Sequence, residues 1–263
     1  MNKLVLSIFS GIDILGKAFE KNNFCVVRAP DINLDGGDIR NFNPPSNVFG
    51  GLIGGSPCQD FSRLNRHPKN YSLEMLNEYI RVVAAASPDW FLFENVVGFP
   101  DFQIDGYTQQ RFQLDLAWFT PFSRRRDFVF GTKDGRLLNP IIKTNGKTLG
   151  TAVTGGDSRS FQTMCEIQGL PSDFDLPFFT LEGKKQAVAN GVPFAMGNYL
   201  AQLILFTLYS ESPKINFDTP NYKRCGCGCG RVITGKQKYS SATCRKRAQR
   251  KREKAIFSQD ATN

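Results

Sequence analysis

The sequence predicts an α/β protein: a twisted parallel sheet covered by helices on both faces. Three observations carry that expectation. Short apolar, β-rich runs recur through the first half of the chain. A stretch with helical periodicity separates two of them. Each run also gives way to a glycine turn or a polar residue. Strands that are apolar on both sides are buried on both sides, which is the situation of a parallel sheet under helices.

The elements follow in order. LVLSIF (4–9) is a buried strand that opens into Ser10-Gly11. FCVVRAP (24–30) is the second strand and ends at Asp31. VFGGLIGGSP (48–57) is the third and ends at Cys58. LEMLNEYIRVVAAAS (73–87) places Leu73, Leu76, Ile80, Val83 and Ala84 on one helical face. DWFLFENV (89–96) is the fourth strand and carries Glu94 near its end, and RDFVFGT (126–132) is the fifth. Residues 131–185 hold turn signals such as KDG, TNG and TGGD and show little helical period, so a small insert is expected there. VPFAMGNYLAQLILFTLYS (192–210) returns to an apolar helix, and the polar tail from Ser212, with Pro213 and Pro220, begins with a linker. The expected division is therefore 1–130, a catalytic and cofactor-binding part; 131–185, the insert; 186–211, the return helix; and 212–263, the linker and tail.

In open α/β sheets, ligands sit beyond the carboxyl ends of the strands. Ser10-Gly11, Asp31, Cys58 and Glu94 all fall at such ends. A lone strand-end acid is more often a helix cap, and a lone cysteine more often belongs to the core. The convergence of a glycine turn, two acids and a thiol is what points to a site. The one histidine, His67, lies in a loop-like stretch, which argues against a Cys-His dyad. No second metal ligand lies near Cys58 in sequence. A thiol beside an acid, in a chain with a glycine loop and a ribose-type acid, suggests covalent catalysis with a nucleotide-like cofactor.

Composition sets outer limits. No run of eighteen apolar residues indicates a membrane span, and the N-terminus lacks the features of a cleaved signal, so a cytoplasmic setting is expected. The net charge of +9 is uneven. Residues 222–255 hold 12 Lys and Arg against one acid, leaving 21 basic and 23 acidic residues elsewhere. The basicity belongs to the tail, which suits a polyanion such as nucleic acid. The seven cysteines are odd in number, which argues against a disulfide framework.

Taken together, FSGIDILGKAFE (9–20), Asp31, GDI (37–39), SPCQDFS (56–62), ENV (94–96), SRRRDFVFG (123–131), FQTMCEIQGLPSDF (161–174) and QAVANGVPFAMGNYLAQLI (186–204) stand in a telling order. They resemble the motifs of the S-adenosylmethionine-dependent DNA (cytosine-5)-methyltransferases, and the resemblance covers roughly residues 4–206. PCQ, ENV and NGVP in this order are its most specific part. It implies a Rossmann-like methyltransferase fold with a small target-recognition insert. It implies that Cys58 adds to C6 of cytosine and that Glu94 contacts N3 and the exocyclic amine. Arg126 would orient the base, and Arg124 would support the catalytic loop or a phosphate. The implied S-adenosylmethionine residues are Phe9, Gly11, Ile12, Asp31, Asp38, Ile39, Pro57 and Asn190, with Gln59 and Ser62 facing DNA. The chain differs from the family pattern at Asp13 and Ile14, where glycines are common, and at Phe122, where glutamine is usual.

The tail places Cys225, Cys227 and Cys229 at alternate positions, with Cys244 fifteen residues after the last of them. Four thiolates suit one structural zinc ion in a knuckle-like tail. RKRAQRKREK, including Arg245, Lys246 and Arg247, reads as a basic helix suited to phosphates. The expected protein is thus a monomeric, DNA-modifying enzyme acting on double-stranded DNA, away from membranes, in a bacterial or phage-infected cell. A tRNA-directed relative is disfavoured, because Cys165 is followed by Glu166-Ile167 rather than the Phe-Thr of that branch. A non-catalytic nucleic-acid-binding protein with a zinc tail is disfavoured by the joint presence of Cys58, Glu94 and Arg126.

Overall fold

The computed structural model describes residues 1–61, 69–140, 150–151, 153–154 and 156–210, with scattered positions between 223 and 250. It divides into two compact units, Met1–Lys214 and Ile215–Asn263.

The first unit is built on a six-stranded sheet. Its strands are β1 (Leu4–Ile8), β2 (Cys25–Arg28), β3 (Gly51–Gly54), β4 (Trp90–Asn95), β5 (Thr108–Asp115) and β7 (Arg125–Thr132), in the spatial order β2-β1-β3-β4-β7-β5. The helices are α1 (Ile14–Glu20), α2 (Tyr71–Ala86), α3 (Phe161–Gln168), α4 (Leu181–Asn190) and α5 (Phe194–Tyr209). Two very short strands, β6 (Phe122–Ser123) and β8 (Gly150–Thr151), pair in parallel. This is a Rossmann-like α/β arrangement.

The sheet is mixed rather than parallel throughout. β1 pairs in parallel with β2 and β3, and β3 with β4. β7 runs antiparallel to both β4 and β5. Apolar composition marks β7 as a buried strand but carries no information about its direction. The sequence reading did not find β5 at all. TQQRFQLD is polar along much of its length because it lies at the sheet edge, with its first six residues partly or fully exposed.

The core on one face lies under α2. Met75, Leu76, Tyr79, Val82, Val83 and Ala86 meet Leu6, Ile8, Leu52, Phe91 and Phe93 from the strands. The rings cross edge to face, with Tyr79 4.6 Å from Phe93 and 6.3 Å from Phe91 between centroids. Burying each such large side chain contributes about 1.5–3 kcal/mol, so this face alone outweighs any single polar term in the fold. α5 packs against α1, where a Cβ on Gly197 would stand 2.9 Å from the Cβ of Ala18. Residues 181–209 are long and apolar enough by composition to cross a membrane. They are nevertheless broken between α4 and α5 at 191–193, and Leu200, Ala201 and Ile204 are buried in the fold.

The expectation of little helix in 131–185 fails. α3 has a Ser160 cap that accepts from the Thr163 amide, and Gly169 closes it in the left-handed region at φ 77°. α4 has a Thr180 cap that accepts from the Gly183 amide. These helices are short, and α4 is polar, so tertiary packing rather than periodicity defines them. A second apolar cluster joins them to the start of α1: Ile12, Ile14, Val153, Phe161, Met164, Ile167, Leu170 and Val188, with Phe122 packed against it. Two of the three departures from the family pattern, Ile14 and Phe122, are thereby accounted for as partners in one apolar cluster. In the second unit, β9 (Lys223–Arg224) pairs antiparallel with β10 (Val232–Ile233).

Candidate active site

The site gathers at the carboxyl ends of β1, β3 and β4. β1 runs into a tight loop in which Phe9 (φ 50°), Gly11 (φ 50°) and Asp13 (φ 53°) all adopt left-handed backbone. Such a conformation costs an L side chain about 1–2 kcal/mol, so contacts must hold it. The Gly11 amide donates to Asp31 Oδ2 at 3.0 Å, and the Asn33 amide donates to Asp31 Oδ1 at 3.0 Å. This joins the glycine loop to the strand-end acid of β2. A Cβ on Gly11 would meet nothing within 4 Å, so open space lies beside the loop. The Ser10 hydroxyl is buried with no hydrogen-bond partner among the described residues. An open cradle, a carboxylate and an orphaned hydroxyl fit a nucleoside-bearing cofactor. Ile12 and Ile39 are buried beside the loop.

Asp38 caps the short 3₁₀ turn Ile39–Asn41. Its carboxylate accepts from the Arg40 amide at 3.0 Å and is gripped by the Arg40 guanidinium, with Nη2 at 2.6 Å. That guanidinium holds the Asp38 carboxyl below the usual carboxylate range.

The thiol arrives on the turn after β3. Pro57 fixes the backbone before Cys58, and the Phe61 amide donates to the Cys58 carbonyl at 3.1 Å. Gly55 makes the close approach of β4 feasible. A Cβ there would lie 2.6 Å from the Glu94 carbonyl oxygen and 2.7 Å from Glu94 Oε2. Asn95, buried and overlooked in the sequence, donates from Nδ2 to the Ser56 carbonyl at 3.1 Å and thus ties the thiol turn to the Glu94 strand. Its sequence signal is its place in the middle of ENV (94–96).

Arg126 reaches Glu94, Nε to Oε1, at 2.9 Å. Burial pushes the Glu94 carboxyl up, while Arg126 and Arg124 pull it back. Burial, and then the Glu94 charge, push the Cys58 thiol up, against Arg126 and Arg124. Cys58, Glu94, Arg124 and Arg126 therefore act on one another.

Arg124 spends both terminal nitrogens on backbone carbonyls. It is buried, and it donates from Nη1 to the Val153 carbonyl at 2.6 Å and from Nη2 to the Ala189 carbonyl at 2.7 Å. Burial, and then Arg126, push its guanidinium down to about 9, which leaves it charged at neutral pH. Asp115 fixes its backbone by accepting the Arg124 amide at 3.0 Å. Asn190 ends α4 beside this contact and accepts from Gln186 at 2.7 Å. The next residue, Gly191, abuts Ile14, whose Cδ1 would lie 2.6 Å from a Cβ there. The arginine motif, the closing motif and the cofactor loop thus meet.

Gln59 lies on a 3₁₀ turn, Gln59–Phe61. Ser62, Arg247 and all four tail cysteines, Cys225, Cys227, Cys229 and Cys244, lie outside the described residues. Arg245 and Lys246 are helical and exposed in the second unit. Among the described residues, no cluster of three or more His, Cys, Asp or Glu suits a metal ion.

The sheet has Rossmann-like architecture, and the site lies at its strand ends. Residues 4–113 match the C-5 cytosine-specific DNA methylase family, and the recognition of that methylase domain holds. The Type II methyltransferase M.XorII of Xanthomonas oryzae is 26% identical over 215 residues, covering 65% of this chain and 51% of its own. The Type II methyltransferase M.DdeI of Desulfomicrobium norvegicum is 32% identical over 145 residues, covering 48% of this chain and 34% of its own. The chain thus spans about half of the first of these curated relatives and about a third of the second. A candidate DNA modification methyltransferase encoded within an E. coli prophage shares the fold, with a TM-score of 0.59 and 16% identity over 78% of this chain and 99% of its own.

Proposed function

We propose that the chain transfers a methyl group from S-adenosylmethionine to C5 of cytosine in double-stranded DNA through a covalent Cys58 adduct. The convergence of Cys58, Glu94 and Arg126 beside the Gly11–Asp31 loop carries this reading. Cytosine C5 is a poor nucleophile. Addition of the Cys58 thiolate to C6 forms a C–S bond and turns C5 into the nucleophilic end of an enamine. Glu94 supports that step by supplying a proton toward N3; burial favours its protonated form, so it is suited to give one up. Arg126 holds Glu94 in place and faces the base. When bound, the cofactor supplies the electrophilic methyl group. Loss of the C5 proton to water then breaks the C6–S bond and expels the thiolate, and return of the N3 proton to Glu94 restores the ring and the enzyme. A base inside a duplex cannot reach a thiol in such a turn, so the target base is flipped out. Phe9, Gly11, Ile12, Asp31, Asp38, Ile39, Pro57 and Asn190 form the cofactor side, with Gln59 and Ser62 toward the DNA.

The deciding measurement is methyl transfer from labelled cofactor to duplex DNA, with tRNA as the competing substrate. The wild-type chain should label DNA, C58A should not, and a duplex containing 5-fluorocytosine should trap wild-type protein through Cys58. Labelling of tRNA alone, or undiminished labelling by C58A, overturns the reading.

The tail reading extends this proposal. Cys225, Cys227, Cys229 and Cys244 hold one zinc ion, and Arg245, Lys246 and Arg247 lie along DNA phosphates. Thiolate spacing supports the first part and the charge of residues 222–255 the second. The setting that suits such an enzyme is the cytoplasm of a bacterial or phage-infected cell, as a monomer on DNA.

A further inference from the structure

The loop from Phe9 to Asp13 spends three of its five residues in left-handed backbone, and two of those three carry side chains. Two carboxylates hold it. Asp31 takes the amide of Gly11. The other is Asp13, one of the departures from the family pattern. Asp13 Oδ1 accepts from the Ser7 hydroxyl at 2.9 Å and from the Gly16 amide at 3.0 Å, and Oδ2 lies 3.7 Å from Arg28 Nε. Its own amide donates to the Ser10 carbonyl at 2.8 Å. The residue is 3% exposed, and a side chain on Gly16 would collide with its carboxylate. Asp13 therefore fastens the far end of the loop to the buried end of β1 and to the first turn of α1. Burial of this carboxylate carries a desolvation cost that a half-exposed arginine at 3.7 Å offsets only in part.

We propose that Asp13 is a positioning residue for the cofactor. Anchored on Ser7 and Gly16, it holds Ser10 and Gly11 in the backbone geometry that binds an S-adenosyl ligand. This rests on the reading of the loop as the cofactor site.

Calorimetry of S-adenosylhomocysteine on the full chain tests it, using wild type, D13N, D13A, S7A and the D13A/S7A double variant. Asparagine keeps an oxygen for Ser7 and Gly16, so D13N should bind within about threefold of wild type. D13A should bind at least about tenfold more weakly, about 1.4 kcal/mol. S7A should fall between them, and the double variant should bind no more weakly than D13A, because both changes break one contact. In methyl transfer, KM for the cofactor should rise in D13A while kcat stays within about twofold. A residue that merely stabilised the fold would lower the melting temperature and leave affinity unchanged in protein shown by circular dichroism to be folded. Such a result overturns the proposal, as does D13N binding as weakly as D13A. If D13A does not fold, S7A and D13N decide: S7A binding like wild type overturns the proposal, and weakened S7A beside normal D13N upholds it. Wild-type protein that binds no S-adenosylhomocysteine overturns the cofactor reading itself, a distinguishable result.

Discussion

At the scale of single residues, the local electrostatics make the thiol a reluctant anion. Burial and Glu94 raise Cys58, and the two arginines lower it. A raised thiol pKa means that the thiolate fraction, and with it the reaction rate, falls as pH drops through and below that pKa. Alkylation of Cys58 by iodoacetamide, followed by peptide mass spectrometry, should reach half its limiting rate above the ordinary thiol range. E94Q removes the repelling charge and should move that midpoint down; R126Q should move it up. A midpoint indifferent to both changes would contradict the geometry. Tyr79 offers a separate check. Its hydroxyl is fully buried without a hydrogen-bond partner among the described residues. Removing such a group relieves a desolvation cost, so Y79F should leave stability unchanged or raise it by up to about 1 kcal/mol. The urea midpoint at constant m-value measures this. Cys58, Glu94 and Asp31 were legible in the sequence because each stands at the end of an apolar run. The cap formed by Asp13 was not, because its anchor Ser7 reads simply as a strand residue.

At the scale of elements, Arg124 is a strut. It joins the end of α4 to the segment at Val153 through two buried carbonyls. R124A leaves both unpaired, and at about 1–3 kcal/mol for each such group it should destabilise the chain by about 2–6 kcal/mol in urea unfolding. Lysine retains the charge but lacks the fork that spans two acceptors, so R124K should recover less than half of that loss. The elements that escaped the sequence reading share one property: their identity depends on neighbours. β5 is an edge strand with a polar outer face, and α3 and α4 are short helices whose burial comes from Ile12, Ile14 and Phe122. Their caps, Ser160, Thr180 and Gly169, were the readable signals.

At the scale of the whole molecule, charge and chemistry belong to different stretches of chain. All the proposed cofactor and catalytic residues precede residue 191, while the excess positive charge follows residue 221. Truncation after Ser212 should therefore spare binding of S-adenosylhomocysteine and weaken binding of DNA. If the tail neutralises about four phosphates, the full chain's log–log salt slope includes about −3.6 from the tail, and truncation should flatten it by that amount. Metal analysis of the purified full chain should find one zinc per molecule, and of the truncated chain none. Alternation of strands and helices made the α/β class legible. The spatial order of the strands and the reversal of β7 were not, because they depend on pairing between segments far apart in sequence.

That reversal governs when a nascent chain can become reactive. β7 runs antiparallel to β4, so its first residues lie beside the last residues of β4, with Asp127 opposite Asn95. Arg126 thereby meets Glu94; a parallel β7 would have delivered Thr132 to that end instead. Gly11, Asp31 and Cys58 are all synthesised before Arg124 and Arg126, so the thiol lacks its arginines until β7 is made and folds back. A chain that stops between those points carries Gly11, Asp31 and Cys58 without the arginine that meets Glu94.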